Sequence, residues 1–177
     1  MRESRGEVQT IRERRGLLLQ NRRRDHYEGT TMKTYTIGFT QKNAQRFFIL
    51  IKRNNIARIV DVRLNNVSQL AGFAKRDDLK YFLSELCGAD YVPMKELAPT
   101  KEILDAYKKK LITWAAYEDK FFDLMSRRNV ERAIDKSILE NGCLLCSEHE
   151  PDHCHRRLVL EYLKRHWEPP IEVVHLV

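Results

Sequence analysis

The sequence predicts an α/β fold: a single three-layer domain with a mostly parallel sheet of about five strands, helices on both faces, and a flexible N-terminal arm. Two observations carry that prediction. Short runs rich in β-branched and aromatic residues alternate from residue 32 onward with longer segments of helical spacing. One of the short runs, Ile56 to Arg63, is almost continuously apolar, as strands covered on both faces are.

The elements follow in order. "TYTIGF", Thr34 to Phe39, reads as the first strand, and "AQRFFILIKRNN" has helical spacing and ends in asparagine before the next apolar run. Ile56 to Arg63 is the second strand. Asp77 to Cys87 carries Leu79, Phe82, Leu83 and Leu86 along one helix face, with Gly88 placed as terminator. "ADYVPM" is a short third strand that Pro93 ends or confines to a sheet edge. Residues 100 to 141 read as two or three helical pieces, in which Trp114, Tyr117, Phe121, Leu124 and Met125 form an apolar stripe for core packing. "CLLCSE", Cys143 to Glu148, is a fourth strand, Asp152 to Trp167 a helix capped by Asp152, and "PPIEVVHLV" the last strand.

Composition bounds the class. The chain has 177 residues, 42% of them hydrophobic and 32% charged, which suits one globular domain. No apolar run approaches the roughly 18 residues of a membrane span, and the charged first thirty residues lack the apolar region of a secretory signal. Four cysteines make no disulfide framework, so a cytoplasmic location is expected. The net charge is +7, of which residues 1 to 31 hold +3, leaving an ordinary +4 on the remaining 146 residues. Residues 1 to 31 are therefore expected to be a basic flexible arm, or an extension of a chain that starts at Met32, and residues 32 to 177 the domain. Acids interleaved among the arm's arginines dilute its field, which makes a nucleic-acid-associated protein the runner-up reading.

Open parallel sheets place their ligands beyond the carboxyl ends of the strands. The residues leaving the predicted strands there are Gly38, Phe39 and Thr40, then Asp61 and Arg63, then Cys146, Ser147 and Glu148. Alternation sets Asp61 and Arg63 on one face and Val60 and Val62 on the other. A paired Asp and Arg that tie down a loop is the structural alternative for the first two. Cys143 and Cys146 point to opposite faces of a strand, so their C-x-x-C spacing is no metal pair. A set of Cys146, Cys154 and a histidine matches no structural zinc module, and no metal or other cofactor is expected.

On the last helix, His155 falls on the midline of a buried stripe continued by Leu158, Val159, Tyr162, Leu163 and His166. Arg156 lies at the stripe's edge, Cys154 at the other, and Arg157 on the solvent side. Amide groups in a helix's first turn favour anions, and a cysteine beside Arg156 and His155 can become a thiolate. The competing reading makes Cys146 and Cys154 small core residues and His155 a hydrogen-bonding partner of Glu148 or Asp61. Cys87 is expected to be packing.

Taken together and in order, "YTIGFT", "DVRLNNVS", "ELAPT", "WAAYEDKFFDL" and "LLCSEHEPDHCHRRLVLEYL" resemble the domain of unknown function 488 family over Tyr35 to Leu163. The resemblance implies a compact cytosolic α/β protein with a polar pocket, and brings Gly38, Asp61, Arg63, Ser68, Glu96, Cys146, Glu148, Cys154, His155 and Arg156 forward as its recurring polar positions. It implies no reaction. Family members often carry His and Ser after the first-strand glycine, where this chain has Phe39 and Thr40.

The leading expectation is a pocket that binds or processes an anionic, phosphate- or nucleotide-like small molecule, as a Cys/His-dependent transferase or hydrolase would. Cys146, Glu148, Cys154, His155 and Asp61 are its candidate catalytic residues. Arg63, Arg156, Thr40, Ser68 and Glu96 are candidates for binding the substrate. A non-catalytic metal or redox module is the third reading. No membrane partner is expected, and nothing in the sequence bears on oligomeric state.

Overall fold

The computed structural model describes residues 31–177, so the arm expected over residues 1–31 lies, Thr31 apart, outside the described residues. The element order is β1 (Met32–Gly38), α1 (Ala44–Arg53), β2 (Arg58–Asp61), α2 (Arg76–Phe82), β3 (Asp90–Pro93), α3 (Lys101–Lys108), α4 (Trp114–Arg127), α5 (Val130–Ala133), β4 (Gly142–Cys146), α6 (His155–Lys164) and β5 (Ile171–Leu176). The five strands form one sheet in the order β3-β2-β4-β1-β5, and every pairing is parallel. Parallel neighbours need crossovers, and the helical segments between the strands supply them.

Two apolar cores cover the two faces. On one, Val60, Val62, Leu144 and Ile171 of the sheet pack with Tyr117, Phe121, Leu124 and Met125 of α4 and with Leu158, Val159, Tyr162 and Leu163 of α6. On the other, Tyr35, Ile37, Ile59, Cys143 and Leu145 pack with Phe47, Phe48 and Ile51 of α1 and Leu79 of α2. Period-two alternation accounts for the split: β4 sends Cys143 and Leu145 one way and Leu144 the other. The central strands β1 and β4 are buried on both sides, as a sheet sandwiched between helices requires. β3 lies at an edge, where Pro93 costs no ladder bond.

Caps set the helix starts. Asn43, Thr100 and Thr113 accept from the amides of Arg46, Ile103 and Ala116. The segment expected as one helix from Asp77 to Cys87 starts at Arg76 and widens into a π turn over Leu83–Cys87 before Gly88 stops it at φ 62°. Wider winding moves the register, which is why Leu83 is buried while Leu86, expected on the same face, is 50% exposed.

The last helix differs more. Pro151 to His153 form a turn in which the Cys154 amide bonds the Pro151 carbonyl, so α6 starts at His155 with Cys154 in the capping position. Asp152 is exposed and does not cap it. The helix also stops at Lys164, which leaves His166 exposed rather than in the buried stripe. No helix among the described residues is long and apolar enough to cross a membrane.

Candidate functional site

The strand order creates the site. The chain leaves β2 toward β3 on one side, and leaves β4 toward β5 on the other, so the loops after these neighbours diverge and open a crevice at their carboxyl ends. β1 closes it from the other flank. Beyond its last paired residue β1 stays zipped to the β4 loop: the amides of Phe39 and Thr40 donate to the carbonyls of Cys146 and Ser147, and the Thr40 hydroxyl donates to Ser147 at 2.6 Å. Gly38 is required for that approach, because a Cβ there would sit 1.7 Å from the Glu148 carbonyl oxygen.

The crevice is a cavity of about 660 Å³. Its polar lining includes Thr40, Arg63, Ser68, Cys146, Glu148, Cys154 and His155, all expected from the sequence. Asp61, Glu96 and Arg156 do not line it. The opposite wall comes from α3, α4 and the loop after β2, through Leu70, Leu104, Tyr107, Lys108 and Trp114. Tyr117 is both core and wall, and stacks on Trp114 at a centroid distance of 5.0 Å.

Asp61 and Arg63 form a buried pair. The carboxylate accepts from Arg63 Nε and Nη2, both at 2.7 Å, from the Arg63 amide at 3.1 Å, and from the Tyr91 hydroxyl at 2.5 Å. Burial opposes charge on Arg63, but the hydrogen bonds and field of Asp61 outweigh it and raise the guanidinium pKa. Burial and the neighbouring carboxylate push the Tyr91 hydroxyl up, which keeps it a donor. One Arg63 nitrogen, Nη1, is buried with no hydrogen-bond partner. The Phe39 ring lies 5.2 Å from the guanidinium carbon.

Arg156 is the largest fully buried side chain among the described residues. It donates to the carbonyls of Glu148 at 2.5 Å and His149 at 2.8 Å, and so holds the loop that carries β4 into α6. Glu96 is exposed in a short turn, with its carbonyl bound by Arg128. Arg157 bridges Glu118 and Glu161 on the outside of α6.

The floor of the cavity is a Cys-Cys-His cluster. Cys146 closes β4, Cys154 and His155 open α6, and one donor atom from each lies within 4.8 Å of the others. His155 Nε2 is 2.8 Å from the Val62 carbonyl, which can only accept, so Nε2 carries a hydrogen and Nδ1 is the nitrogen left for Cys146 Sγ, which lies 3.7 Å from Nδ1 and 3.9 Å from Nε2. The Cys154 thiol's hydrogen bond, then the field of His155, bring the Cys146 pKa well below its usual value, against the opposing effect of burial. Burial and the neighbouring thiolate push Cys154 up. Burial works against a charged His155, but the Cys146 thiolate outweighs it and raises the imidazole pKa. These shifts favour Cys146, rather than Cys154, as the sulfur that gives up its proton beside His155.

Those three are the one group of His, Cys or carboxylate donors among the described residues close enough to share a metal ion. A closed structural zinc site takes four such ligands. Cys143 lies on the opposite face, where burial raises its pKa, and Cys87 is half-buried with its thiol on the Phe48 carbonyl.

The family model described as "Domain of unknown function DUF488" matches residues 43–163. The chain belongs to this family. The matched span holds β2, β4 and the start of α6, so Arg63, Cys146, Cys154 and His155 all fall inside the family's domain, while Gly38 and Thr40 precede the match. No curated protein and no solved structure matches the chain.

Proposed function

We propose that this DUF488 protein is a cysteine-dependent enzyme, a transferase or hydrolase, acting on a small anionic molecule in the cavity beyond the sheet. One observation carries the reading: Cys146 Sγ stands 3.7 Å from a His155 nitrogen whose ring is oriented by a backbone carbonyl, on the floor of a cavity large enough for a substrate.

The roles follow from the geometry. The Cys146 thiolate attacks an electrophilic centre of the bound molecule, and His155 delivers its proton to the leaving group. Cys154 and the imidazolium stabilise the thiolate before attack. Arg63, held by Asp61, offers its remaining N–H group to the anion, with Lys108 at the wall adding positive charge. Thr40 and Ser68 line the cavity as further hydroxyls, and Arg156 keeps the loop under Glu148 in place.

Paired alkylating agents test both halves. Cys146 should react with iodoacetamide far faster than Cys87 or Cys143. The ratio of iodoacetate to iodoacetamide rates should exceed that of free cysteine and fall as salt is raised. Uniform labelling of all four cysteines would end the nucleophile reading. A ratio equal to that of free cysteine would end the anion reading. Near one equivalent of tightly held zinc in protein purified without added metal, with alkylation only after chelation, would replace both by a metal centre.

A further inference from the structure

We propose that Cys146 and Cys154 are a dithiol–disulfide couple: Cys146 reduces a hydroperoxide admitted by the cavity, and Cys154 is the resolving thiol. The inference rests on the reading of Cys146 as the reactive sulfur, and adds a second activity and a role for Cys154 that transfer or hydrolysis does not need.

The geometry singles out this pair. Both sulfurs belong to residues that line the same cavity, so a small oxidant reaches them although the residues are otherwise buried. Their Sγ atoms lie within 4.8 Å of each other, and a disulfide requires about 2.05 Å, so the gap to close is at most about 2.8 Å. Cys154 sits at the junction of the turn and α6, where its own side chain makes no capping bond that must be broken. Cys143 lies in the other core and Cys87 packs against that same core, and neither lines the cavity, so neither competes. His155 is within the same 4.8 Å of both sulfurs and can serve each in turn.

The chemistry balances. The Cys146 thiolate attacks the distal oxygen of the hydroperoxide, an S–O bond forms and the O–O bond breaks, and the departing alkoxide takes the proton of His155 to leave as alcohol or water. His155, now neutral, accepts the proton of Cys154. The Cys154 sulfur attacks the Cys146 sulfenic acid, the S–S bond forms, and hydroxide leaves as water with the proton that His155 returns. Two thiols have lost two electrons and the peroxide has gained them. An external dithiol resets the pair by exchange.

The test treats reduced protein with about one equivalent of hydrogen peroxide, then counts thiols after unfolding and maps disulfides by peptide mass. The free thiols should fall from four to two, with a Cys146 to Cys154 link that dithiothreitol reverses. In Cys154→Ala, a sulfenic-acid trap should label Cys146 in place of the link. Wild-type mapping does not depend on that variant folding. A link through Cys87 or Cys143, or stable sulfenic acid at Cys146 in the wild type, overturns the couple and leaves the nucleophile intact. A Cys146 that neither oxidises nor alkylates ahead of the others overturns both.

Discussion

The Asp61 and Arg63 pair gives the most quantitative expectation. Asp61→Asn removes one charge while leaving the shape. Asp61 is 0% exposed and Arg63 2% exposed, so the guanidinium left behind is almost wholly buried and has lost its carboxylate partner. The wild-type carboxylate accepts four hydrogen bonds, two from the guanidinium, one from the Arg63 amide and one from Tyr91. An asparagine keeps one acceptor oxygen and turns its NH₂ toward at least one of those donors. Removing one partner of a buried ion pair costs about 3–5 kcal/mol. For a domain of this size about 1 kcal/mol corresponds to roughly 2–4 °C in Tm, so Asp61→Asn should melt about 6–20 °C lower. Denaturant unfolding followed by far-ultraviolet circular dichroism measures the loss directly. Tyr91→Phe leaves three of the four bonds and should cost less, about 1–3 kcal/mol. A loss below about 1 kcal/mol for Asp61→Asn would refute the argument, because it would mean that the pair is hydrated and Arg63 is not held for the cavity.

Three further expectations concern the frame around the site. Leu83→Ala should cost about 2–5 kcal/mol in denaturant unfolding while Leu86→Glu stays within about 0.5 kcal/mol, since the π turn buries the first and exposes the second. Gly38→Ala drives a methyl into the Glu148 carbonyl, so beyond a stability loss of about 1–3 kcal/mol it should raise the Cys146 pKa read by alkylation, as the β4 loop shifts away from α6. Phe121→Ala, which empties the core beneath His155 at a ring distance of 5.8 Å, should cost about 3–5 kcal/mol in the same unfolding assay and slow Cys146 alkylation at neutral pH.

The layer arrangement was readable in the sequence because it depends on local pattern. The β-branched runs at Thr34 and Ile56 and the stripe from Trp114 to Met125 each carry their own period. Strand order was not, because pairing β1 with β4 and β5 joins segments more than a hundred residues apart that no local signal links. At the site, strand ends pointed to Thr40, Arg63, Cys146 and Glu148, and helix periodicity turned His155 inward. Leu70, Leu104, Tyr107 and Lys108 escaped notice because their position depends on how α3 and the β2 loop pack, and no spacing encodes that. Trp114 and Tyr117 were read as core, and they are also wall. The start of α6 was misplaced at Asp152 because an aspartate after a proline is a good capping signal, whereas the chain there forms a separate turn. Which carbonyls Arg156 holds follows from that turn.

The central claim is that His155, together with Cys154, keeps Cys146 as a thiolate, and its pH dependence has a definite sign. A free cysteine, with a pKa near 8.5, is only about 3% thiolate at pH 7. A depressed pKa puts the rise in reactivity at lower pH, so Cys146 should already alkylate at its plateau rate at neutrality, falling off only in acid. The deciding measurement is the rate of Cys146 alkylation by iodoacetamide from pH 4 to 10 in the wild type and in His155→Asn. The account predicts a wild-type midpoint well below that of free cysteine and an upward move in the variant. A wild-type midpoint at or above that of free cysteine, or one unmoved by the substitution, would contradict it.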